Sequence, residues 1–594
     1  MCFCCERSPL LDRLTAGLPA AVPGRREFLV RAAVAVAVGS GLARPGHAAA
    51  VAADVIFRNG TIRTMAAADA AGPAGRGTVE ALAIGGGRIL AAGTAAEAHA
   101  FAGDTTRIID LEGRTVLPGL IDPHHHSVLA ALLTTLLRDV GASRCRTRAD
   151  VIAELKGAAA KTPPGEWITA GFYDNLLQGG ELTGGDLDAV STSHPIFVMY
   201  VNGHVGAANQ LAFDRAKIPP DVGTIPSGGH FGRSPEGRLD GRIYEQPALL
   251  RFTAVALPAP TPAILAKALT DYARRAAAAG NTTLHEPGTV KPEWVEQLAT
   301  LSNDLDVRLS ASFSTDMMEA SKPFAALGPV AKARHIAGSR FSLYGMKFWA
   351  DGSNQARSAA QTKPYLKTAE QGRTNHSQAE VVRLCRDAKD AGWSILVHCQ
   401  GDAAIDAALD AIEDVYGKHP ATGVNRIEHA TMARQDQIER MARLGVEPSF
   451  IPDFLHLYGA AYRDQVFGPP RAEFMVPAAA AERAGVPFTL HSDAPAAGLP
   501  INPLRHVQTA VTRRCAIDGS RIGPGLALSV QSALRAITAS AARQIGLSDS
   551  LGTLETGKEA DLTILESDPC TADPEKIAAI RASETWIAGE KKFG

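Results

Sequence analysis

Six side chains that can bind a metal ion lie at the ends of apolar, strand-like segments spread over most of the chain. They are His124, His126, Lys347, His398, His429 and Asp493. Imidazole nitrogen and carboxylate oxygen are common ligands of catalytic zinc. A bound metal ion lowers the pKa of its water from about 15.7 towards roughly 7, which makes hydroxide available at neutral pH. The pattern therefore indicates metal-assisted hydrolysis.

The histidine pair follows the apolar segment 115–122. Because side chains alternate along a strand, a His-x-His pair at a strand end presents two imidazoles on one face, and His125 between them should point away. Asp122 is a candidate for orienting a ligand histidine. His398 and His429 each end a short apolar run, and either alone is typical of a structural histidine. Together with the pair, they match a nitrogen-rich zinc site.

Lys347 and Asp493 would supply the remaining chemistry. A cation facing a barrel mouth is costly if unpaired. Carbamylation of Lys347 by carbon dioxide would convert it into an oxygen ligand able to bridge two metal ions, and pairing with Asp351 or a substrate carboxylate is the alternative. Asp493 could take the proton of the attacking water and pass it to a leaving nitrogen. No Gly-x-Ser-x-Gly motif and no His-Glu-x-x-His motif supports a serine or metalloprotease mechanism.

These side chains need a scaffold that brings distant strand ends together. Eight β-type segments are predicted, near 115–123, 281–286, 307–313, 342–349, 394–399, 425–429, 446–451 and 487–492. Helix-compatible stretches separate most of them, including 262–279, 378–391, 403–416 and 435–444. Alternation of this kind predicts an α/β fold, a (β/α)8 TIM barrel whose strand ends converge at one mouth.

The remaining segments predict further parts around the barrel. Short β-runs cut by glycine near both chain ends indicate a small β-sandwich. The gap of roughly 150 residues between the first two barrel strands exceeds ordinary connection lengths and must hold its own structure. We therefore expect a composite sandwich from 54–114 and 545–594, a barrel from 115–136 and 273–544, and an inserted lobe, 137–272, over the mouth.

Composition limits the classes of partner. The chain has 594 residues, 46% hydrophobic and 21% charged, with a formal net charge of -2. Such a length predicts more than one lobe, and the charge gives no electrostatic basis for binding nucleic acid or an anionic membrane. A small molecule is the expected substrate.

The first fifty residues resemble a targeting signal. Arg25 and Arg26 precede an apolar stretch and the small-residue run Ala48–Ala50. This is typical of a twin-arginine export signal, residues 1–50, handled by the export machinery, with a basic amphipathic or disordered N-terminus as the alternative. The stretch is too short and too interrupted for a membrane span. The mature protein is expected to be periplasmic or secreted.

Six motifs in order resemble the amidohydrolase superfamily, in the amidohydrolase 3 branch of the YtcJ-like proteins and the N-substituted formamide deformylases. They begin at Pro118, Gly345, His398, Arg426, Ser492 and Gly557 and read PGLIDPHHH, GMKFWADGS, HCQGD, RIEHA, SDAP and GKEADL. The resemblance implies His124 and His126 on one divalent ion, His398 and His429 on a second, carbamylated Lys347 between them, and Asp493 as ligand and proton shuttle. It implies zinc, hydrolysis of non-peptide C–N bonds in small amides, and possible homo-oligomers.

The sequence also departs from this family's pattern near the mouth. His285-Glu286 stands where relatives often have His-Asp, and His491 stands where glycine is more usual. Together with His204 and Tyr173 in the inserted lobe, His285 and Glu286 are candidate substrate contacts, with packing as the alternative for the lobe residues. Two other functions stay open: ester or lactone hydrolysis at the same site, and a catalytically silent metal or solute binder on this fold.

Overall fold

Eight parallel strands form the main part of the central sheet, and a ninth strand, Arg334–His335, pairs antiparallel with one of them. In this computed structural model, residues 52–67, 77–223, 225, 229–259, 261–417 and 423–594 are described. The parallel strands are, in sheet order, Leu120–Asp122, Asn281–Pro287, Arg308–Ser314, Phe341–Trp349, Ile395–Cys399, Asn425–His429, Val446–Phe450 and Thr489–Leu490. Most are buried along their whole length, as expected for parallel strands covered on both faces. They form a nearly closed barrel, which confirms the predicted fold class.

The segment expected to form one barrel strand near 115–123 forms two strands in two sheets. Thr115–Pro118 joins the sandwich sheet, whereas Leu120–Asp122 joins the barrel. Gly119 lies between them, and a Cβ atom at this position would collide with the side chain of Thr282. The apolar run continues through this change of sheet, so hydrophobicity alone could not reveal it.

A second, eight-stranded sheet combines both ends of the described chain. Its strands are Val55–Arg63, Thr78–Gly85, Arg88–Gly93, Arg107–Asp110, Thr115–Pro118, Leu562–Leu565, Ala582–Ile587 and Glu590–Phe593. Phe57 and Trp586, from the two ends, meet edge to face with ring centroids 5.3 Å apart in its core. Segments near both chain ends thus share one sheet, and the sandwich bounds 54–114 and 545–594 stay a prediction.

A third sheet lies within the long connection after the first barrel strand. Its six strands are Arg138–Asp139, Ile168–Tyr173, Ile196–Tyr200, Val205–Ala208, His230–Arg233 and Leu239–Tyr244. Helices in the same connection are Ser127–Leu136, Arg148–Ala159, Gly184–Asp188, Gln210–Arg215 and Gln246–Ala256. The connection therefore has its own sheet and its own core, as its length requires.

Of the remaining helices, Ala95–His99 lies between strands of the second sheet, and the others lie before, between or after the barrel strands. These helices are Ala95–His99, Pro262–Ala278, Val295–Ser302, Met318–Ala325, Gln378–Asp390, Asp402–Tyr416, Gln435–Leu444, Pro452–Ala461, Pro469–Ala472, Ala478–Arg483, Pro503–Thr512, Val530–Ala536 and Ala539–Gln544. Shorter 3-10 or π turns occupy Pro292–Trp294, Thr315–Met317, Tyr462–Val466, Pro524–Leu526 and Pro574–Ala579. None of the helices in the described ranges combines the length and hydrophobicity needed to cross a bilayer.

The chain divides into two units. One contains His126–Asp271 and Asp493–Pro500, and the other contains residues 52–125 as far as described, Tyr272–Ser492 and Ile501–Gly594. His126 and Asp493 thus belong to the first unit, and the other four predicted metal ligands belong to the second. The predicted export signal, residues 1–50, lies outside the described residues and stays a prediction, as does the placement of the lobe over the mouth.

Candidate metal centre

His124 follows the first barrel strand and lies in a bend two residues beyond its end. Its Nδ1 faces Glu428 Oε2 at 2.5 Å, and Arg426 Nε donates to the other oxygen of Glu428 at 2.6 Å. Burial alone would raise the pKa of Glu428, but the charge of Arg426 holds it below its usual value. An ionised carboxylate only accepts, so Nδ1 of His124 carries the hydrogen. Nε2 is then the nitrogen that would bind a metal ion, and in this structure it lies 3.4 Å from Lys347 Nζ.

Asp122 connects the loops after the first and eighth barrel strands. Its Oδ1 accepts the backbone N–H of His124 (3.3 Å), and its Oδ2 accepts the hydroxyl of Ser492 (2.6 Å). Asp122 therefore fixes the backbone of His124. The ring of His124 contacts Glu428 rather than Asp122.

Lys347 and His398 lie on the neighbouring fourth and fifth barrel strands, and both are fully buried. Lys347 Nζ is 3.4 Å from His124 Nε2. His398 Nε2 donates to the carbonyl of Gly352 (3.1 Å), and within the described part of the chain its Nδ1 has no hydrogen-bond partner. Burial and then the charge of Lys347 lower the pKa of His398 to about 3. The ring is neutral, which is the form that binds a metal ion.

Asp351, the alternative partner considered for Lys347, holds the loops beside this site. Its Oδ1 accepts the backbone N–H of Gln400 (2.9 Å), and its Oδ2 accepts those of Gly401 (2.8 Å) and Ala360 (3.0 Å). These contacts fix the segment that follows His398.

His429 ends the sixth barrel strand with a left-handed backbone, at a φ of 68°. Its ring centroid is 4.7 Å from that of His124 and 4.6 Å from that of His398. His491 Nε2 is 3.1 Å from His429 Nδ1. The ligand nitrogens of His124, His429 and His491 lie within 4.8 Å of one another. Burial holds the pKa of His429 and of His491 well below 6.5, so both rings are neutral.

His126 and Asp493 form their own contact in the other unit. His126 Nε2 is 3.3 Å from Asp493 Oδ1, and both side chains are buried. The backbone N–H of His126 also donates to the carbonyl of Ala494 (2.9 Å). Asp493 has a left-handed backbone, at a φ of 53°, as His429 does. Non-glycine residues adopt this conformation rarely, and it concentrates at functional sites.

The two lobe residues considered as substrate contacts have partners inside the lobe. Tyr173 donates its hydroxyl to the carbonyl of Gly180 (2.6 Å) and packs against Tyr200 at a centroid distance of 4.8 Å. His204 Nδ1 is 2.7 Å from Glu245 Oε2. Substrate binding by Tyr173 and His204 stays a prediction.

His285 and Glu286 are buried on the second barrel strand. His285 places its ring nitrogens 3.0 and 2.9 Å from the hydroxyls of Ser310 and Ser312. Glu286 accepts the hydroxyl of Thr289. Substrate contact by this pair also stays a prediction.

The donor atoms fit a divalent metal ion. His124 and His398 each have one ring nitrogen that already has an acceptor, and the buried Nδ1 of His398 lacks a protein partner among the described residues. Metal-binding histidines have this arrangement, in which the other ring N–H donates to a carboxylate or carbonyl. In the other unit, His126 and Asp493 add an imidazole and a carboxylate.

Comparison with known proteins agrees with this chemistry. The model of the amidohydrolase family matches residues 107–591. The chain belongs to the amidohydrolase family. An N-substituted formamide deformylase of Arthrobacter pascens is 26% identical over 563 residues, which cover 91% of this chain and 98% of that protein. The putative amidohydrolase YtcJ of Bacillus subtilis strain 168 is 25% identical and covers 82% of this chain and 90% of its own length.

Among solved structures, an uncharacterized metal-dependent hydrolase from Pyrococcus furiosus has the same fold. The two align with a TM-score of 0.65 at 23% identity, and the alignment covers 87% of this chain and 100% of that chain. The predicted family and branch are thus confirmed, and this amidohydrolase is a hydrolase of a generally metal-dependent family.

Two residues of this amidohydrolase have roles at the site that the sequence did not assign. Glu428 contacts His124 across 304 residues of chain, a pairing that the sequence gives no means to assign. His491 stood out as a departure from the family's pattern, and that departure was the available signal. The structure places His491 against His429.

Proposed function

We propose that this amidohydrolase cleaves a C–N bond of a small, non-peptide amide with the help of one or two divalent metal ions, of which zinc fits the ligands best. The observation that carries the proposal is the buried set of imidazoles around Lys347, in which Nδ1 of His124 faces Glu428 and Nε2 of His398 donates to the carbonyl of Gly352. A neutral ring has a lone pair to give and no charge that repels a cation.

We further propose that all six predicted ligands serve this one site. His124 and His126 are separated by one residue, so their Cα atoms are at most about 7.6 Å apart whatever the local conformation. Asp493 directly follows Ser492, which Asp122 holds. Carbamylation would make Lys347 a bridging oxygen ligand and would remove its positive charge from beside His124.

The predicted ligands would bind the metal ion, and Asp493 would also transfer the proton. When bound, the metal ion would polarise the substrate carbonyl and make hydroxide available at neutral pH. Asp493 accepts the proton of the attacking water and delivers it to the leaving nitrogen, which must leave as an amine. His126, 3.3 Å from Asp493 Oδ1, holds that carboxylate in place. The formamide-cleaving relative supports an amide as the substrate class.

Metal removal and restoration test the proposal. The purified chain is stripped with a chelator, reloaded with Zn²⁺, and assayed on formamides, N-acyl amines and aryl amides beside their matched esters. We expect amide turnover to disappear with the metal and to return with Zn²⁺. A preference for the esters would replace the amidase assignment with esterase, and undiminished turnover by the folded, metal-free chain would refute metal dependence.

A further inference from the structure

We propose that the substrate of this amidohydrolase carries a carboxylate on an apolar body, and that a cavity lined by Arg471 and Lys363 binds that carboxylate. The inference rests on the proposed function and names its substrate class. The cavity has a volume of about 280 Å³. Pockets for small molecules begin at about this size, near 300 Å³.

The cavity lies on the face of the barrel that carries the proposed metal ligands. Its lining comes from the segments that follow the fourth, fifth, sixth and seventh barrel strands, all within one unit. Enzymes with such barrels bind their substrates at the carboxyl ends of the strands. Met432 in the lining follows His429 by three residues, so their Cα atoms are at most about 11 Å apart. The cavity and the proposed metal centre are therefore neighbours.

Two cations in the lining lack an acidic partner. Arg471 donates to the carbonyls of Lys363 (3.3 Å) and Pro364 (2.8 Å) and to Oε1 of Gln361 (2.8 Å), and all three acceptors are uncharged. Neither Arg471 nor Lys363 forms an ion pair within the described ranges of the chain. Burial lowers the pKa of Arg471, as expected for a guanidinium whose charge is poorly compensated. An anion bound in the cavity would compensate it.

The guanidinium of Arg471 is already positioned for a carboxylate. Its contacts use Nη1 twice and Nη2 once, so hydrogens on Nε and Nη2 remain without an acceptor among the described residues. Two neighbouring N–H donors of an arginine can bind both oxygens of a carboxylate at once. The guanidinium also lies over the ring of Phe467, 4.8 Å from its centroid. A side chain held in this way loses little freedom when it binds the anion.

Asp402, the acidic residue of the lining, already has partners for its charge. Its Oδ1 accepts the backbone N–H of Thr362 (2.8 Å), and its Oδ2 accepts the hydroxyl of Thr362. Nη1 of Arg434 donates to the same Oδ2 at 3.2 Å. Asp402 and Arg434 thus offset each other, and Arg471 and Lys363 set the sign of the charge that the cavity attracts.

The rest of the lining determines what the carboxylate is attached to. It includes the apolar side chains of Met432, Ala433, Pro470 and Phe474. Such side chains favour an apolar or aromatic body, because its burial removes apolar surface from water. A small molecule with an aromatic or alkyl body and one carboxylate matches both parts of the cavity.

A chain of buried amides connects the cavity to the segments of the metal centre. Gln361 Nε2 donates to Asn354 Oδ1 (2.9 Å), and Asn354 Nδ2 donates to Gln400 Oε1 (3.1 Å). Thr431 Oγ1 donates to the same oxygen of Gln400 at 2.9 Å. All four residues are buried, and Gln400 and Thr431 each follow a proposed ligand histidine by two residues. The cavity is therefore held in a fixed place relative to those histidines.

Two matched formamides test the substrate class. N-(4-carboxybenzyl)formamide and N-(4-nitrobenzyl)formamide differ in charge but not in shape, and the methylene group keeps their leaving amines alike. We would measure kcat/KM of the Zn²⁺-loaded full chain for both compounds, in the wild type, Arg471→Gln and Lys363→Gln. Arg340→Gln is the matched control, because Arg340 also donates to backbone carbonyls, those of Asn303 and Leu305, and burial lowers its pKa too.

We expect the wild type and Arg340→Gln to prefer the carboxylate compound, chiefly through a lower KM. Arg471→Gln should reduce that preference about 10-fold or more, because charge-assisted hydrogen bonds to the carboxylate are lost. Lys363→Gln should reduce it less, and this exposed position carries the test if Arg471→Gln does not fold. Equal kcat/KM for the two compounds in the wild type would overturn the proposal and leave the amidase assignment intact. An unchanged preference in a folded Arg471→Gln would do the same.

Direct binding separates this inference from the proposed function. Binding of 4-methylbenzoate to the chelator-stripped full chain is measured by calorimetry, with 4-methylbenzyl alcohol as the uncharged comparison. We expect the wild type and Arg340→Gln to bind the benzoate more tightly than the alcohol, and Arg471→Gln to lose that difference. Such binding without turnover of either formamide would contradict the amidase assignment and support the carboxylate site. A folded wild-type chain that does not bind the benzoate would overturn the site.

Discussion

At the scale of single residues, the chemistry of this amidohydrolase depends on which atom of each side chain is already engaged. Glu428 holds Nδ1 of His124, and the carbonyl of Gly352 holds Nε2 of His398. The opposite nitrogen of each ring is the one that would bind a cation. The residue types could be identified from the sequence, whereas these pairings could not, because each depends on a partner from a different strand.

Asp493→Asn separates metal binding from proton transfer. The amide keeps the size and one oxygen of the carboxylate but cannot take up a proton, so we expect turnover to fall by about 100-fold or more. Metal content should change little, because the imidazoles and Lys347 remain. Metal analysis and steady-state kinetics on the same preparation check this, and full activity with normal metal content would remove Asp493 from the proton-transfer role.

Glu428→Gln tests the support of His124. We expect Zn²⁺ affinity to fall about 10-fold or more, because the charged acceptor of the His124 ring is lost. We also expect the free energy of unfolding to fall by about 3–5 kcal/mol, because Arg426 is left buried without its charge partner. Competition titration and denaturant unfolding measure the two effects.

Asp561→Asn is the control for that experiment. It breaks another partly buried ion pair, with Arg308 Nε at 2.7 Å, in the region that joins sandwich and barrel. It should lower stability and leave Zn²⁺ affinity unchanged. Equal affinities for Glu428→Gln and the wild type would show that His124 does not need this carboxylate.

At the scale of elements, hydrophobic periodicity located four of the helices around the barrel. The helix predicted over 435–444 is observed as Gln435–Leu444, and Gly445 ends it in the left-handed conformation that favours glycine. The predicted helix 378–391 is Gln378–Asp390, opened by a capping box between Ser377 and Glu380. Capping residues of this kind adjoin the helix in sequence and can be recognised there. The change of sheet at Gly119 cannot be recognised in this way, because it depends on Thr282, far along the chain.

Gly119→Ala tests the junction between sandwich and barrel. The added methyl group has no room against Thr282, so we expect a loss of about 1–3 kcal/mol in the free energy of unfolding. Gly525→Ala is the control, because nothing lies within 4 Å of its Cβ position. Denaturant unfolding of both variants measures the difference, and equal stabilities would show that the junction does not require glycine.

At the scale of the whole molecule, folding assembles a cluster of imidazoles that must stay neutral. The pKa of His398 falls to about 3 from an ordinary 6.5, and burial lowers those of His429 and His491 as well. In the unfolded chain each would bind a proton as the pH falls through about 6.5. The unfolded state therefore binds more protons between the two pKa values, and stability rises with pH across that window.

We expect the metal-free protein to lose stability as the pH falls from about 8 to about 5, mostly below 6.5. Buried Asp122 acts in the opposite direction, because burial raises its pKa, but the three imidazoles outnumber it. Denaturant unfolding at several pH values measures the slope. Stability that stayed level or increased on acidification would contradict the assignment of these rings as buried and neutral.

The most direct test of the central claim is the metal content of the purified, enzymatically active protein, measured by elemental analysis beside the double variant His398→Ala/His429→Ala. The account predicts one or two divalent ions per wild-type chain, most of them zinc, and a clear loss of metal from a folded double variant. A folded and active wild-type chain that contains no divalent metal would contradict it.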